Sequence, residues 1–168
     1  KFGSKVDDVK AKDPLVAIAK AFGFGSKTGI DLPGEASGRI ADREWKRAYF
    51  ESQKDYYCKI AKKGEKAKVS DFVKKFAREF CVEGYAYRAG DAVNFAIGQG
   101  DTIVTPLQLA RAYAALGNGG ILYEPRVARA IVDPQGDLVR ELEPKVQARV
   151  PHKKIIKWVD NALKGIPR

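Results

Sequence analysis

Apolar residues recur at helical spacing in the segment that follows Thr105. They are Leu107, Ala110, Tyr113, Ala114 and Leu116, and apolar positions three and four residues apart share one face of an α-helix. Thr105 is a typical N-cap, Pro106 suits the first helical position, and Gln108 stands where a capping-box partner is found. The glycine-rich stretch 117–120 can adopt the left-handed backbone conformation that commonly ends an α-helix. The pattern therefore predicts a helix over residues 105–117.

Other helices are predicted by the same signals. One opens at Asp13-Pro14 and ends near Gly23, a second begins near Asp42, a third is N-capped by Ser70, and a last one covers 151–164. The segment 54–68 fits either a helix or a loop. Glycines punctuate 84–100, which we expect to be irregular.

Alternation with a period of two residues appears only in the segment 126–142. Val127, Arg129 and Ile131 fall on one face of a strand, and a turn at Asp133-Pro134-Gln135-Gly136 precedes a second apolar run. These features predict a β-hairpin. Because helices dominate and no βαβ alternation occurs, the fold class is α+β with a weak sheet.

Composition describes a globular chain. Of the 168 residues, 45% are hydrophobic and 10% aromatic, which is enough for one domain with a substantial core. The longest uncharged run, 112–123, has 12 residues and is too short to span a bilayer. The sequence contains no methionine, and we interpret it as a piece of a longer protein.

The net charge of +10 is concentrated between Lys54 and Arg78. This segment contains nine Lys or Arg and only three acidic residues, which are Asp55, Glu65 and Asp71. A solvated, lysine-rich insertion is the favoured interpretation, and attraction to anionic wall polymers or lipid headgroups is the alternative. Nucleic acid is not an expected partner, because the phenylalanines of this segment recur at helical spacing and suit a core.

Cys58 and Cys81 bracket the basic segment and are the two cysteines of the chain. They form either a disulfide or two buried thiols, depending on the redox compartment. A metal site is not expected, since the single histidine, His152, is distant in sequence and the cysteine spacing matches no zinc pattern.

Three blocks carry a resemblance to class B penicillin-binding proteins. The first contains Gly98, Gln99, Gly100, Thr105, Pro106 and Gln108 within 97–110, the second is the run 23–35, which reads GFGSKTGIDLPGE, and the third is 123–127, which reads YEPRV. The likeness runs from about Leu15 to at least Pro144, with the blocks in the family's order. It implies part of a penicillin-binding, serine β-lactamase-like transpeptidase domain. The part would comprise a helical lobe over 14–100 with an insertion at 54–78, followed by the 105–117 helix, the 126–142 hairpin and the 151–164 helix.

The resemblance implies three catalytic motifs, and none is expected in this chain. The family uses Ser-x-x-Lys for the nucleophile and its base, a Ser-x-Asn triplet, and a Lys-Thr-Gly strand that holds the substrate. None of the serines at positions 4, 26, 37, 52 and 70 begins Ser-x-x-Lys or Ser-x-Asn. A Lys-Thr-Gly string occurs at Lys27, Thr28 and Gly29, but we interpret it as a decoy, because it precedes the Thr105 helix and lies among turn residues. We therefore assign no catalytic residue here.

For the intact enzyme, the resemblance implies a serine-type D,D-transpeptidase that acts on peptidoglycan stem peptides and is trapped by β-lactams. It implies no cofactor, a location on the extracytoplasmic face of the bacterial plasma membrane, an anchor outside this chain, and pairing with a polytopic glycan polymerase. The piece alone is expected to be inactive and to self-associate. The alternative is a non-catalytic basic binding module or pseudoenzyme that holds an anionic wall polymer.

Overall fold

The computed structural model describes residues 13–151 and 153–165, so His152 and Ser4 lie outside the described residues. The described part is mixed helix and strand. The helices are α1 Pro14–Ala21, α2 Arg43–Lys63, α3 Asp71–Glu83, α4 Ala89–Ala96, α5 Pro106–Gly117 and α6 Lys153–Lys164, with a 3₁₀ turn at Gly64–Lys66. The strands are β1 Ile121–Tyr123, β2 Ala130–Val132, β3 Leu138–Glu141 and β4 Val146–Arg149.

The described residues form two compact units. Unit 1 contains 13–14 and 41–101, and unit 2 contains 15–40 and 102–165 without residue 152. This division differs from the helical lobe over 14–100 that the sequence predicted. The reason is that Arg39 and Ile103 exchange two backbone hydrogen bonds, of 2.6 and 2.9 Å, which join the 15–40 segment to the chain before α5.

Unit 1 is organised around α2 and α3. Asp42 caps α2 by accepting the N–H of Trp45 at 2.8 Å, and Ser70 caps α3 by accepting the N–H of Val73 at 3.4 Å. Ile60, Ala67 and Ala77 form the buried cluster between the two helices. Because this apolar stripe continues past residue 54, the ambiguous segment 54–68 is helical as far as Lys63.

Aromatic rings and a disulfide also join α2 to α3. The ring centroids of Tyr57 and Phe80 are 4.8 Å apart, and Phe50 lies 5.4 Å from Phe80. Cys58 and Cys81 are joined by an S–S bond of 2.08 Å, with their Cα atoms 5.1 Å apart. Of the two states left open by the sequence, the structure has the disulfide.

The expectation of irregular structure over 84–100 is wrong for α4. Asp91 accepts the backbone N–H of Arg88 at 2.6 Å and the Nζ of Lys46 at 2.6 Å, so one carboxylate caps the helix and ties it to α2. Ala92 is the buried residue of this helix. The glycine punctuation hid α4 because Gly90 lies in its first turn, where a glycine costs little.

Unit 2 has its core between α5, the β1–β4 pair and α6. Ala115, Leu122, Val150 and Ile156 are its buried residues, and the partly buried side chains of Phe22 and Leu116 pack against them. The predicted capping box of α5 is present, and the helix ends at Gly117 as the pattern predicts. Among the described helices, none is long and apolar enough to cross a membrane.

The strands form two antiparallel pairs. The predicted hairpin is β2–β3, with Ile131 opposite Arg140, but its strands are shorter than 126–142. A second pair, β1–β4, with Leu122 opposite Ala148, was not predicted. Strands of three or four residues carry too little alternation for a sequence pattern to reveal them.

Candidate functional site

The most extensive set of polar contacts in unit 2 centres on Thr28, which is completely buried. Its hydroxyl donates to Glu35 Oε1 at 2.5 Å, and its backbone N–H donates to the same oxygen at 2.6 Å. The N–H of Gly29 donates to Glu35 Oε2 at 3.2 Å. One carboxylate thus closes the turn over residues 28–35 by accepting three donors.

These contacts also set the charge state of Glu35. The Thr28 hydroxyl, then the N–H groups of Thr28 and Gly29 and the charge of Lys27, hold the pKa of Glu35 below its ordinary value of 4.5, while burial opposes them. All the donors favour the ionised carboxylate. The turn is therefore built for an ionised carboxylate at neutral pH.

The carbonyl of Thr28 faces α5 and β4. Arg111 Nη1 donates to it at 3.1 Å, and Gln147 Nε2 donates to it at 3.4 Å. Arg111 Nη1 also donates to Gln147 Oε1 at 2.5 Å. Burial lowers the pKa of Arg111, and the charge of Glu35 opposes that shift. Because a guanidinium stays protonated in proteins, Arg111 is a buried cation whose charge Glu35 offsets.

Gln108 ties the same loop to the start of α5 and is completely buried. Its Nε2 donates to the carbonyls of Ser26 at 2.6 Å and Ser37 at 2.7 Å, while its Oε1 accepts the N–H of Thr105 at 2.9 Å. Gly38 has φ +63° and leaves room for this contact, since a Cβ there would lie 2.9 Å from Gln108 Oε1. We call Ser26, Thr28, Glu35, Gln108, Arg111 and Gln147 the Thr28 network.

Thr28, the central residue of the Lys-Thr-Gly string at 27–29, belongs to this network. Lys27 is exposed, while Thr28 is buried with its hydroxyl and amide both bonded to Glu35. Gly29 has φ +81°, a left-handed turn conformation. The backbone of the string is irregular and is not a strand.

The residues of the family-like segment fall in both units. In unit 1, Gly98 and Gly100 have φ values of +71° and +92°, and the N–H of Gln99 donates to Asn94 O at 2.8 Å, so they form a turn after α4. Thr105, Pro106 and Gln108 lie in unit 2, at the start of α5. The sequence identified Gln108 as a capping partner, but not its two bonds to the 26–37 loop.

The described serines have no activating base. The hydroxyls of Ser26, Ser37 and Ser52 donate to the carbonyls of Gly23, Gly38 and Tyr49, and Ser70 accepts the N–H that caps α3. A serine nucleophile needs a base within hydrogen-bond reach, and no described serine bonds to a lysine. Within the described ranges, no group of three or more His, Cys, Asp or Glu could hold a metal ion. What the hydrogen bonds of the Thr28 network do is hold the 26–37 loop against α5 and β4.

Comparison with known proteins gives a match that covers nearly the whole chain. Residues 5–165 match the penicillin binding protein transpeptidase domain. The peptidoglycan D,D-transpeptidase MrdA of Acinetobacter baumannii is 32% identical over 118 residues, which are 70% of this chain and 13% of that protein. MrdA of Haemophilus influenzae is 30% identical over 163 residues, which are 93% of this chain and 20% of that protein.

A solved structure gives the same fold. Apo penicillin binding protein 3 of Mycobacterium tuberculosis superposes with a TM-score of 0.50 at 22% identity, covering 87% of this chain and 23% of that one. The chain thus spans about a fifth or less of the length of the two MrdA relatives. The chain belongs to the penicillin-binding protein transpeptidase family, and it forms part of the transpeptidase domain of that family.

Proposed function

We propose that this chain helps to build the active-site domain of a peptidoglycan D,D-transpeptidase and that the nucleophilic serine lies outside residues 1–168. The observation that carries the proposal is the family match over 5–165, in a chain whose serines begin neither Ser-x-x-Lys nor Ser-x-Asn. Its role is that of a scaffold: the Thr28 network holds the 26–38 loop on α5 and β4.

The geometry at Lys27, Thr28 and Gly29 supports the interpretation of this string as a decoy. A substrate-binding hydroxyl must be free to donate to a ligand, but the Thr28 hydroxyl already donates to Glu35 at 2.5 Å and has no exposed surface. A ligand could reach it only by opening the turn. We assign Lys27 to solvent and the other two residues to the turn.

The chemistry of the intact enzyme follows from the family. A serine attacks the carbonyl of the terminal D-Ala-D-Ala amide, the terminal D-Ala leaves as an amine, and an acyl-enzyme forms. An amine of a neighbouring stem peptide then attacks this ester, which forms the cross-link and releases the serine. β-Lactams acylate the same serine.

Location and assembly belong to the same proposal. We place the intact enzyme on the extracytoplasmic face of the plasma membrane, with an anchor in another segment and a polytopic glycan polymerase as its partner. The disulfide of Cys58 and Cys81 supports an oxidising compartment, because such bonds persist outside the cytosol.

The test is covalent labelling with a fluorescent penicillin, on the chain alone and on the chain co-expressed with the polypeptides that flank it. We expect no label on the chain alone, and label on an upstream flanking polypeptide only when this chain is present. The Lys27→Ala variant should support the same labelling as the wild type. Label on the chain alone, or no label in either sample, would overturn the proposal.

A further inference from the structure

The connection between α2 and α3 carries an excess of positive charge. We define the hairpin tip as residues 59–75, which include seven lysines but only two acidic residues, Glu65 and Asp71. Both acids are engaged locally: Lys74 bonds Asp71 at 3.0 Å and Glu65 at 3.2 Å, and Arg78 bonds Glu65 at 2.9 Å. Their charges are therefore already compensated.

The other six lysines of the hairpin tip are exposed, and none forms an ion pair with any described residue. They are Lys59, Lys62, Lys63, Lys66, Lys68 and Lys75. Like charges held this close repel one another, and an anionic partner would relieve that repulsion.

An apolar side chain stands among these lysines. Phe72, in the first turn of α3, is 79% exposed, although Phe80 on the same helix is 6% exposed in the core. The core between the helices is completed by Ile60, Ala67 and Ala77 without Phe72. The solvent-exposed ring of Phe72 therefore does not contribute to the packing of α2 against α3.

The two helices that present this surface, α2 and α3, are joined to each other by covalent and aromatic contacts. The disulfide joins Cys58 to Cys81, and the ring of Tyr57 lies 5.2 Å from Phe76 and 4.8 Å from Phe80. A surface on such a support loses little conformational entropy when it binds.

We propose that the hairpin tip binds the surface of an anionic phospholipid bilayer. Its lysines would contact the headgroups, and Phe72 would enter the boundary between headgroups and acyl chains. The exposed ring decides between this partner and a soluble polyanion. A polymer of phosphate groups offers an aromatic side chain no apolar environment, whereas a bilayer does.

A second basic surface on the chain provides a strict control. Helix α6 carries exposed Lys153, Lys154 and Lys157, and its Trp158 is 71% exposed. Part of the apolar face of α6 is already used in the core, where Ile156 is 4% exposed. The hairpin tip carries six exposed lysines that form no ion pair with a described residue, whereas α6 carries three, so we place the lipid contact on the hairpin tip.

The test is co-sedimentation of the 168-residue chain with phosphatidylcholine vesicles that contain or lack phosphatidylglycerol. We expect binding only to the anionic vesicles, weakened by added salt. Substituting Lys63, Lys66 and Lys68 by Gln should weaken it about 100-fold, at roughly 1 kcal/mol per lysine. Phe72→Ser should weaken it about tenfold. The matched variant with Lys153, Lys154 and Lys157 changed to Gln should bind as the wild type does.

Three outcomes would overturn the proposal: equal binding to vesicles without phosphatidylglycerol, loss of binding in the α6 variant instead of the tip variant, or binding to soluble poly(glycerol phosphate) but not to vesicles. Circular dichroism of each variant checks folding, which exposed and unpaired side chains should not affect. Vesicle binding is measured without penicillin, so a failure to bind vesicles leaves the transpeptidase proposal standing. A failure of penicillin labelling likewise leaves the lipid-binding proposal standing.

Discussion

At the scale of single residues, Glu35 is the titratable group on which the Thr28 turn depends. The donors to this carboxylate are the hydroxyl and N–H of Thr28 and the N–H of Gly29, and together they lower its pKa. A carboxyl group whose pKa is lower in the folded protein than in the unfolded chain stabilises the fold. This contribution is complete when the pH is above the pKa of the unfolded chain, and it is lost as the pH falls through the pKa of the folded protein. The turn should therefore loosen in acid.

We predict that Thr28→Val moves this acid transition to higher pH. The variant removes the largest cause of the lowered pKa of Glu35 and leaves the two backbone donors in place. The pKa then rises toward 4.5, and stability is lost sooner on acidification. Urea denaturation at several values between about pH 3 and pH 7 measures the effect, because this range includes the pH at which carboxyl groups ordinarily titrate. Thr28→Ser keeps the hydroxyl and should follow the wild type, so matching profiles for the Val and Ser variants would contradict the assignment.

At the scale of elements, Gln108 joins a helix to a loop distant in sequence. We predict that Gln108→Met lowers the free energy of unfolding by about 2 kcal/mol, because the partly buried carbonyls of Ser26 and Ser37 lose the donor that a completely buried side chain supplies. The Tm should fall correspondingly, which calorimetry measures. Thr105→Ala removes only the cap of α5, and its cost should be about 1 kcal/mol. Equal losses in the two variants would show that Gln108 acts as a cap alone.

The disulfide joins α2 to α3, as Gln108 joins α5 to a distant loop. Cys58 and Cys81 are 23 residues apart in sequence, and in the chain-entropy model such a crosslink contributes roughly 3 kcal/mol by restricting the unfolded chain. We predict that reduction lowers the denaturation midpoint of the wild type to that of the Cys58→Ser, Cys81→Ser variant, which should itself be insensitive to reductant. A wild-type midpoint unchanged by reductant would contradict this prediction.

Local chemistry predicted the elements that contain their own start and stop signals. Helix α5 has Thr105, Pro106 and Gln108 at its start and follows the prediction from end to end. Helix α4 was missed because of the glycines around it, and its tie to α2, between Asp91 and Lys46, spans 45 residues. The Thr28 network was missed because its partners are also far apart in sequence: Arg111 donates to the carbonyl of Thr28 across 83 residues. No local pattern records a partner at that separation.

At the scale of the whole molecule, unit 2 contains an open apolar groove of about 420 Å³. Side chains from α1, α5 and α6 line it, among them Ile18, Leu109, Tyr113 and Ile155. Tyr113 is 60% exposed and Ile155 is 59% exposed. Apolar surface of this kind on a chain that spans 20% or less of its MrdA relatives needs a covering partner. In a solution of this chain alone, the available partner is a second copy.

We predict that the 168-residue chain self-associates through this groove. Sedimentation velocity should show a mass that rises with concentration, and Tyr113→Glu should shift the chain toward the monomer by placing a charge on the groove. Tyr56→Glu is the matched control, since Tyr56 is 58% exposed on α2 and is not one of the residues that line the groove. A monomeric wild type at high concentration would contradict self-association, and equal effects of the two variants would contradict the groove as its site. If Tyr113→Glu yields a folded monomer and Tyr56→Glu does not, the groove is the surface through which the copies associate.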